Sequence, residues 1–173
     1  MLIIGDLIIF GVIFIAFMHA RGGDPDLFNG SQMLLHRAFG GVNTLLLVTS
    51  SLLVALAVNA IRRGTATPAR RLLFAALLCA ALFLGNKGIE WTALLSSGHG
   101  PTANSYFMYF FVLTGLHAVH VVLGATLLIV MTRMARRGPL RDDQISTVES
   151  FGCCWHLVDV LWLVIFPLLY LMH

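Results

Sequence analysis

The chain has 173 residues, of which 58% are hydrophobic and only 11% are Asp, Glu, Lys or Arg, with a formal net charge of +3. A soluble domain carries about 45–50% apolar and about 25% charged residues. A large core could absorb the apolar excess, but nothing replaces the missing surface charge, so a soluble globular domain is excluded.

Five apolar runs follow in chain order: Leu2–Ala20, Phe39–Ile61, Leu72–Leu95, Tyr106–Met131 and Phe151–Met172. Each is long enough to cross a bilayer, which takes about 20 residues. Lipid offers no partner to backbone N–H and C=O groups, so the runs must be helices. The predicted fold is therefore all-α: one domain over 1–173, an integral membrane bundle of five transmembrane helices, with no room for a separate soluble domain. The first run carries Asp6 and lacks both a basic stretch before it and a small-residue cleavage site. It reads as a retained helix rather than a signal peptide. Because it starts almost inside the membrane, a few residues are expected to precede Met1 in the natural chain.

The connections hold the expected breakers. The first contains Gly22-Gly23, Asp24-Pro25 and Asn29-Gly30. Arg62–Arg71 contains Gly64 and Pro68, Ser96–Ser105 contains Gly98, Gly100 and Pro101, and Thr132–Ser150 contains Gly138-Pro139. Arg62, Arg63, Arg70 and Arg71 lie in the second connection and Arg133, Arg136, Arg137 and Arg141 in the fourth. The first holds only Arg21 and Arg37, and the third holds none. This bias of eight to two predicts an N-terminus inside and a C-terminus outside a cell (inner) membrane. It also accounts for the positive charge without any nucleic-acid partner. No internal repeat supports an inverted-repeat transporter.

Ionisable residues within spans are expensive and normally face the bundle interior. Here they are Asp6, Lys87, Glu90, His117, His120, His156 and Asp159. Lys87 and Glu90 are three apart and share a helix face, which predicts an internal ion pair ahead of a proton or ion path. His117/His120 and His156/Asp159 repeat that spacing. Such imidazoles could hold a metal or haem, but no short metal-binding motif accompanies them. Hydrogen bonds between helices are the favoured reading, with Asp159 the expected partner of His156. Asn43-Thr44 and Ser50-Ser51 read the same way, Ala75/Cys79 and Ala76/Ala80 suit close helix contact, and Cys79, Cys153 and Cys154 read as buried packers without a disulfide. No nucleophile triad or phosphate-cradling loop is visible, so no catalytic, metal or cofactor residues are assigned.

Two ordered motifs carry a family resemblance. Thr114-Gly115-Leu116-His117-Ala118-Val119-His120-Val121 resembles the TGFHGLHV signature of haem-copper oxidase subunit III. Glu149 followed by Trp155-His156-Leu157-Val158-Asp159-Val160-Leu161-Trp162 resembles that family's E…WHFVDxxW signature. Gly5-Asp6 with Phe10, Val42-Asn43-Thr44 with Ser50-Ser51, and Glu90-Trp91 give shorter matches in the same order, so all five spans are covered. The chain resembles the short five-helix form. Asp6 in place of the usual Glu, Lys87 before Glu90, and the short length are similar to the subfamily associated with nitric oxide reductase.

The resemblance implies a non-redox accessory subunit. It would have no haem or copper of its own, would pack against a catalytic subunit I that holds haem with copper or iron, and would bind phospholipid in a groove near Asp6. It would support assembly and sustained activity in aerobic or nitric-oxide electron transport. Lys87, Glu90, His117, His120, Glu149, His156 and Asp159 would then be structural polar residues. The competing class is a stand-alone b-type cytochrome or a proton-coupled transporter using the same His, Glu and Asp residues.

Overall fold

A computed structural model describes residues 2–33, 35, 37–136 and 141–171, with the side chains of 2–4, 6 and 37 outside that description. The described residues are helical throughout apart from short turns, and contain no strand. Six helices follow one another: α1 (Leu2–Gly23), α2 (Pro25–Met33), α3 (Arg37–Arg62), α4 (Ala66–Ser96), α5 (Ser105–Ala135) and α6 (Asp142–Tyr170).

Helices α3, α4, α5 and α6 are each long and apolar enough to span a membrane. At 1.5 Å per residue, the 22 residues of α1 reach about 33 Å, enough for a fifth crossing of a hydrocarbon core about 30 Å thick. The surface matches that setting, since large apolar side chains such as Ile15, Leu45 and Phe74 point outward from the bundle.

The second helix was not expected. It turns away from α1 by 108°, and Asp24-Pro25 makes the corner. Asp24 Oδ1 accepts from the Leu27 N–H at 3.3 Å, and Pro25 opens the new helix at a position where its missing N–H costs nothing. Gly22-Gly23 and Asn29-Gly30, read as breakers, instead lie inside α1 and α2. The second and fourth connections are also shorter than expected, because α4 begins at Ala66 and α6 at Asp142. A helix continues through polar residues at a membrane edge as long as its backbone bonds are satisfied, so hydropathy underestimates its length. Gly138-Pro139 lies outside the described residues.

Two turns reverse the chain by the same device. Gly64 (φ 71°) and Gly98 (φ 78°) adopt the left-handed conformation that ends a helix. After each, the chain bonds back, Thr65 N–H to Ala60 O at 3.0 Å and His99 N–H to Leu94 O at 2.9 Å. Helices α3 and α4 therefore lie antiparallel in the most extensive pairing of the bundle, α5 and α6 close around them, and α1 packs chiefly on α5. Ala76 and Ala80 are buried, and α3 approaches closely enough for the Ser50 hydroxyl to reach the Ala76 carbonyl at 3.2 Å. Between α5 and α6, a Cβ added at Gly124 would sit 2.7 Å from the Trp155 ring, so the indole occupies the space that glycine leaves open.

The cysteines depart from expectation. Cys153 is exposed and Cys79 and Cys154 only partly buried, because the turns of α4 and α6 that carry them face outward in part.

Candidate functional site

Lys87 and Glu90, one turn apart on α4, both point into the core, at 2% and 5% exposure. Lys87 Nζ donates to Glu90 Oε2 at 2.5 Å and to the Tyr170 hydroxyl at 2.8 Å, and that hydroxyl donates to Glu90 Oε1 at 2.7 Å. The three groups form a closed ring of hydrogen bonds between α4 and the end of α6. Aromatic faces complete it: the ammonium lies 4.7 Å from the Phe110 ring centre, 5.1 Å from Trp162 and 5.3 Å from Tyr170. Burying two charges is tolerable only when each is paired and hydrogen-bonded, and this cage meets that condition. It works as a clamp between helices.

Around the clamp, polar residues of α3 bond to α4 and α6. Asn43 Oδ1 accepts from Asn86 Nδ2 at 2.7 Å, and Thr44 Oγ1 accepts from Trp162 Nε1 at 3.1 Å. Ser51 shares a hydrogen bond of 2.5 Å with His156 Nδ1. On α5, the Tyr106 hydroxyl donates to the Leu169 carbonyl at 2.6 Å, and Thr114 accepts from Trp91 Nε1 at 3.3 Å. Each bond joins two helices, as expected for polar side chains in lipid, where about 1 kcal/mol or less per bond is typical.

The histidines diverge. His117 is fully buried, its ring 5.5 Å from Phe83 on α4 and 5.3 Å from Trp162 on α6. His120 turns toward α1, 5.6 Å from the Phe10 ring, and its Nδ1 lies 2.8 Å from the Leu116 carbonyl. That oxygen can only accept, so Nδ1 carries the proton. His156 faces α3. Among the described residues, no three His, Cys, Asp or Glu side chains gather as a metal site would require.

The expected pairing of His156 with Asp159 does not form. Spacing of three puts both on one side of α6, but Ser51 of α3 lies opposite and takes the His156 Nδ1 bond. The Ser51 hydroxyl also faces the Asp159 carboxyl. Neither Asp159 oxygen has a hydrogen-bond partner among the described residues, and the same holds for both His117 nitrogens and for Trp155 Nε1. Glu149 sits at the arginine-bearing end, half-exposed, 3.1 Å from Arg62 Nε. The Asp6 side chain lies outside the described residues.

Sequence reasoning overlooked Tyr170 and Trp162 as members of the clamp. Their signal was available only as aromatic residues on the last apolar run, since nothing local marks a partner 83 residues away.

Comparison with known proteins fits this bundle of internally bonded polar groups. A family profile described as cytochrome c oxidase subunit III matches residues 1–173. Cytochrome c oxidase subunit 3 of Thermostichus vulcanus is 30% identical over 98% of this chain and 83% of its own length. Cytochrome bo(3) ubiquinol oxidase subunit 3 of Pseudomonas aeruginosa is 28% identical over 96% of this chain and 79% of its own. A heme-copper oxidase subunit I+III of Aeropyrum pernix is 35% identical over 76% of this chain, which spans only 16% of that protein. With several apolar helices, the chain is a multi-pass protein of the cell membrane. A profile match along the whole length, carried by the same helices that hold the clamp, means that the chain belongs to the cytochrome c oxidase subunit III family of haem-copper oxidases.

Proposed function

We propose that this chain is the non-redox accessory subunit III of a respiratory haem-copper oxidase, packed against a catalytic subunit I that carries the haem and metal. The observation that carries the reading is the family match over the entire chain. The partner is supported by the fused Aeropyrum protein, whose printed name joins subunits I and III in one polypeptide. The role is to support assembly and sustained activity. Polar side chains within the spans are largely committed to bonds between helices, which suits a scaffold. The narrower nitric oxide reductase reading rests on Asp6, Lys87 and chain length. The site around Asp6 is proposed to face a phospholipid, and the arginine distribution supports an N-terminus inside and a C-terminus outside.

The test compares membranes with and without this chain. The oxidase lacking it is expected to start at a comparable rate and to lose activity faster during turnover. Equal decay in both would contradict the proposal. The competing stand-alone cytochrome predicts a haem absorption band in the isolated chain, lost in His117→Ala. A transporter predicts uptake by the lone protein in liposomes, abolished in Glu90→Gln.

A further inference from the structure

At the arginine-bearing end, α4 and α5 flank an open recess of about 440 Å³ lined by Thr67, Arg70, Arg71, Phe74, Thr132 and Arg136. That volume lies within the range of about 300–1,000 Å³ typical of small-ligand clefts. At this end Arg62 meets Glu149 and Arg141 meets Asp143, whereas Arg63 and Arg133 meet no acid among the described residues. The three that line the recess make no ion pair or side-chain hydrogen bond among the described residues. None of Asp142, Asp143 and Glu149, the acids of the α6 entry, is among the lining side chains. The first turn of α4 adds to the positive field: it contains no acidic residue, and Thr65 at its cap makes no side-chain bond to the free N–H groups.

Three unneutralised guanidinium groups around one cleft call for an anion with several oxygens, and planar N–H forks match phosphate geometry. The position adds a second requirement. Arg70 and Arg71 stand at the polar edge of an apolar span, and Phe74, one turn deeper, is 69% exposed on the face that meets lipid. An occupant would have its charge at the membrane surface and apolar matter below.

We propose that the recess between α4 and α5 binds a phosphate group, held among Arg70, Arg71 and Arg136, with the rest of the molecule running over Phe74. The source is an anionic lipid headgroup or a water-soluble phosphate ester. No residue of α1 is among the lining side chains, so the proposal stands whether or not a groove near Asp6 binds lipid.

For the test, the full chain in its membrane complex is taken into an uncharged detergent and titrated with phosphatidylglycerol and, separately, with glycerol phosphate. Native mass spectrometry counts the molecules retained, and competition gives relative affinity. The variant Arg70→Gln/Arg71→Gln/Arg136→Gln is expected to bind about a hundredfold more weakly, at about fivefold per charge removed. Arg62→Gln removes a charge of the same end outside the recess and is expected to bind within about twofold of wild type. Phosphatidylglycerol that glycerol phosphate cannot displace identifies the lipid as the source, whereas displacement identifies the soluble ester. Both outcomes support the site. Binding unchanged in the triple variant, an equal loss in Arg62→Gln, or no retention of either probe by wild type overturns it. If the glutamine variant fails to accumulate, Arg70→Lys/Arg71→Lys/Arg136→Lys keeps the charge and removes the forks. It is expected to weaken binding about tenfold, and no weakening would count against the proposal.

Discussion

Two buried polar regions meet around Trp162, and they solve the same problem differently. In the clamp, Lys87, Glu90 and Tyr170 satisfy one another within 2.8 Å and the ammonium is roofed by aromatic rings. In the neighbouring layer, His117 and Asp159 are as deeply buried, yet neither imidazole nitrogen and neither carboxyl oxygen has a partner among the described residues. The first region depends on both its charged members being present, because deleting either strands the other in a medium that cannot solvate it. The second loses little when a polar group is removed, because there is no bond to break. Burial of an ionisable side chain therefore does not by itself predict how much a bundle depends on it.

The largest effect should come from opening the clamp. Glu90→Leu leaves Lys87 buried with only a neutral hydroxyl, and should destabilise the bundle by about 3–5 kcal/mol. The thermal midpoint of the purified chain in detergent checks this. Replacing both charges, as in Lys87→Met/Glu90→Leu, should recover most of the loss, and failure to recover would show that the clamp is more than a paired charge.

Next in size is Gly124→Ala. The added Cβ would stand 2.7 Å from Trp155, an indole fixed in the core, so α5 and α6 must separate or the ring must move. Overpacking of this kind costs about 1–3 kcal/mol, readable in the same melt. Gly85→Ala, where a Cβ would meet nothing within 4 Å inside α4, is the control and should hold or slightly raise the midpoint.

How much of this was legible in the sequence depends on what each residue signals locally. The five apolar runs are long enough to specify spans on composition alone. Lys87 and Glu90 declare themselves as a pair because three residues on a helix place them side by side. Short helix α2 was harder to read: its hydropathy is low, and only the Asp24-Pro25 cap and first turn announce it. The same locality explains the misjudged Asp159. Spacing along α6 reports which residues share a face, but it cannot report that Ser51 waits on the opposing helix. Tyr170 is invisible for the same reason, since it enters the clamp from another helix.

Asp159→Leu sharpens the contrast from the other side. Among the described residues the carboxyl faces only the Ser51 hydroxyl, which is engaged by His156, so the substitution should change stability by less than about 1 kcal/mol. A loss as large as that of Glu90→Leu would mean that the carboxyl is engaged by a partner beyond this chain. Smallest of all is Glu149→Ala. Its pair with Arg62 is at least 41% exposed on both sides, and such pairs contribute about 0–1 kcal/mol. Its removal should leave the melt nearly unchanged, and the small difference from wild type should shrink as salt is raised.

The central claim is that these internal bonds serve a scaffold whose redox chemistry belongs to another subunit. Gentle solubilisation of native membranes, followed by affinity purification through a tag on this chain, tests it most directly. The account predicts that a haem-containing catalytic subunit is recovered with it, with the haem spectrum following that subunit when the two are separated. Recovery of this chain without any haem-bearing partner, across ionic strengths and with lipid supplied, would contradict it.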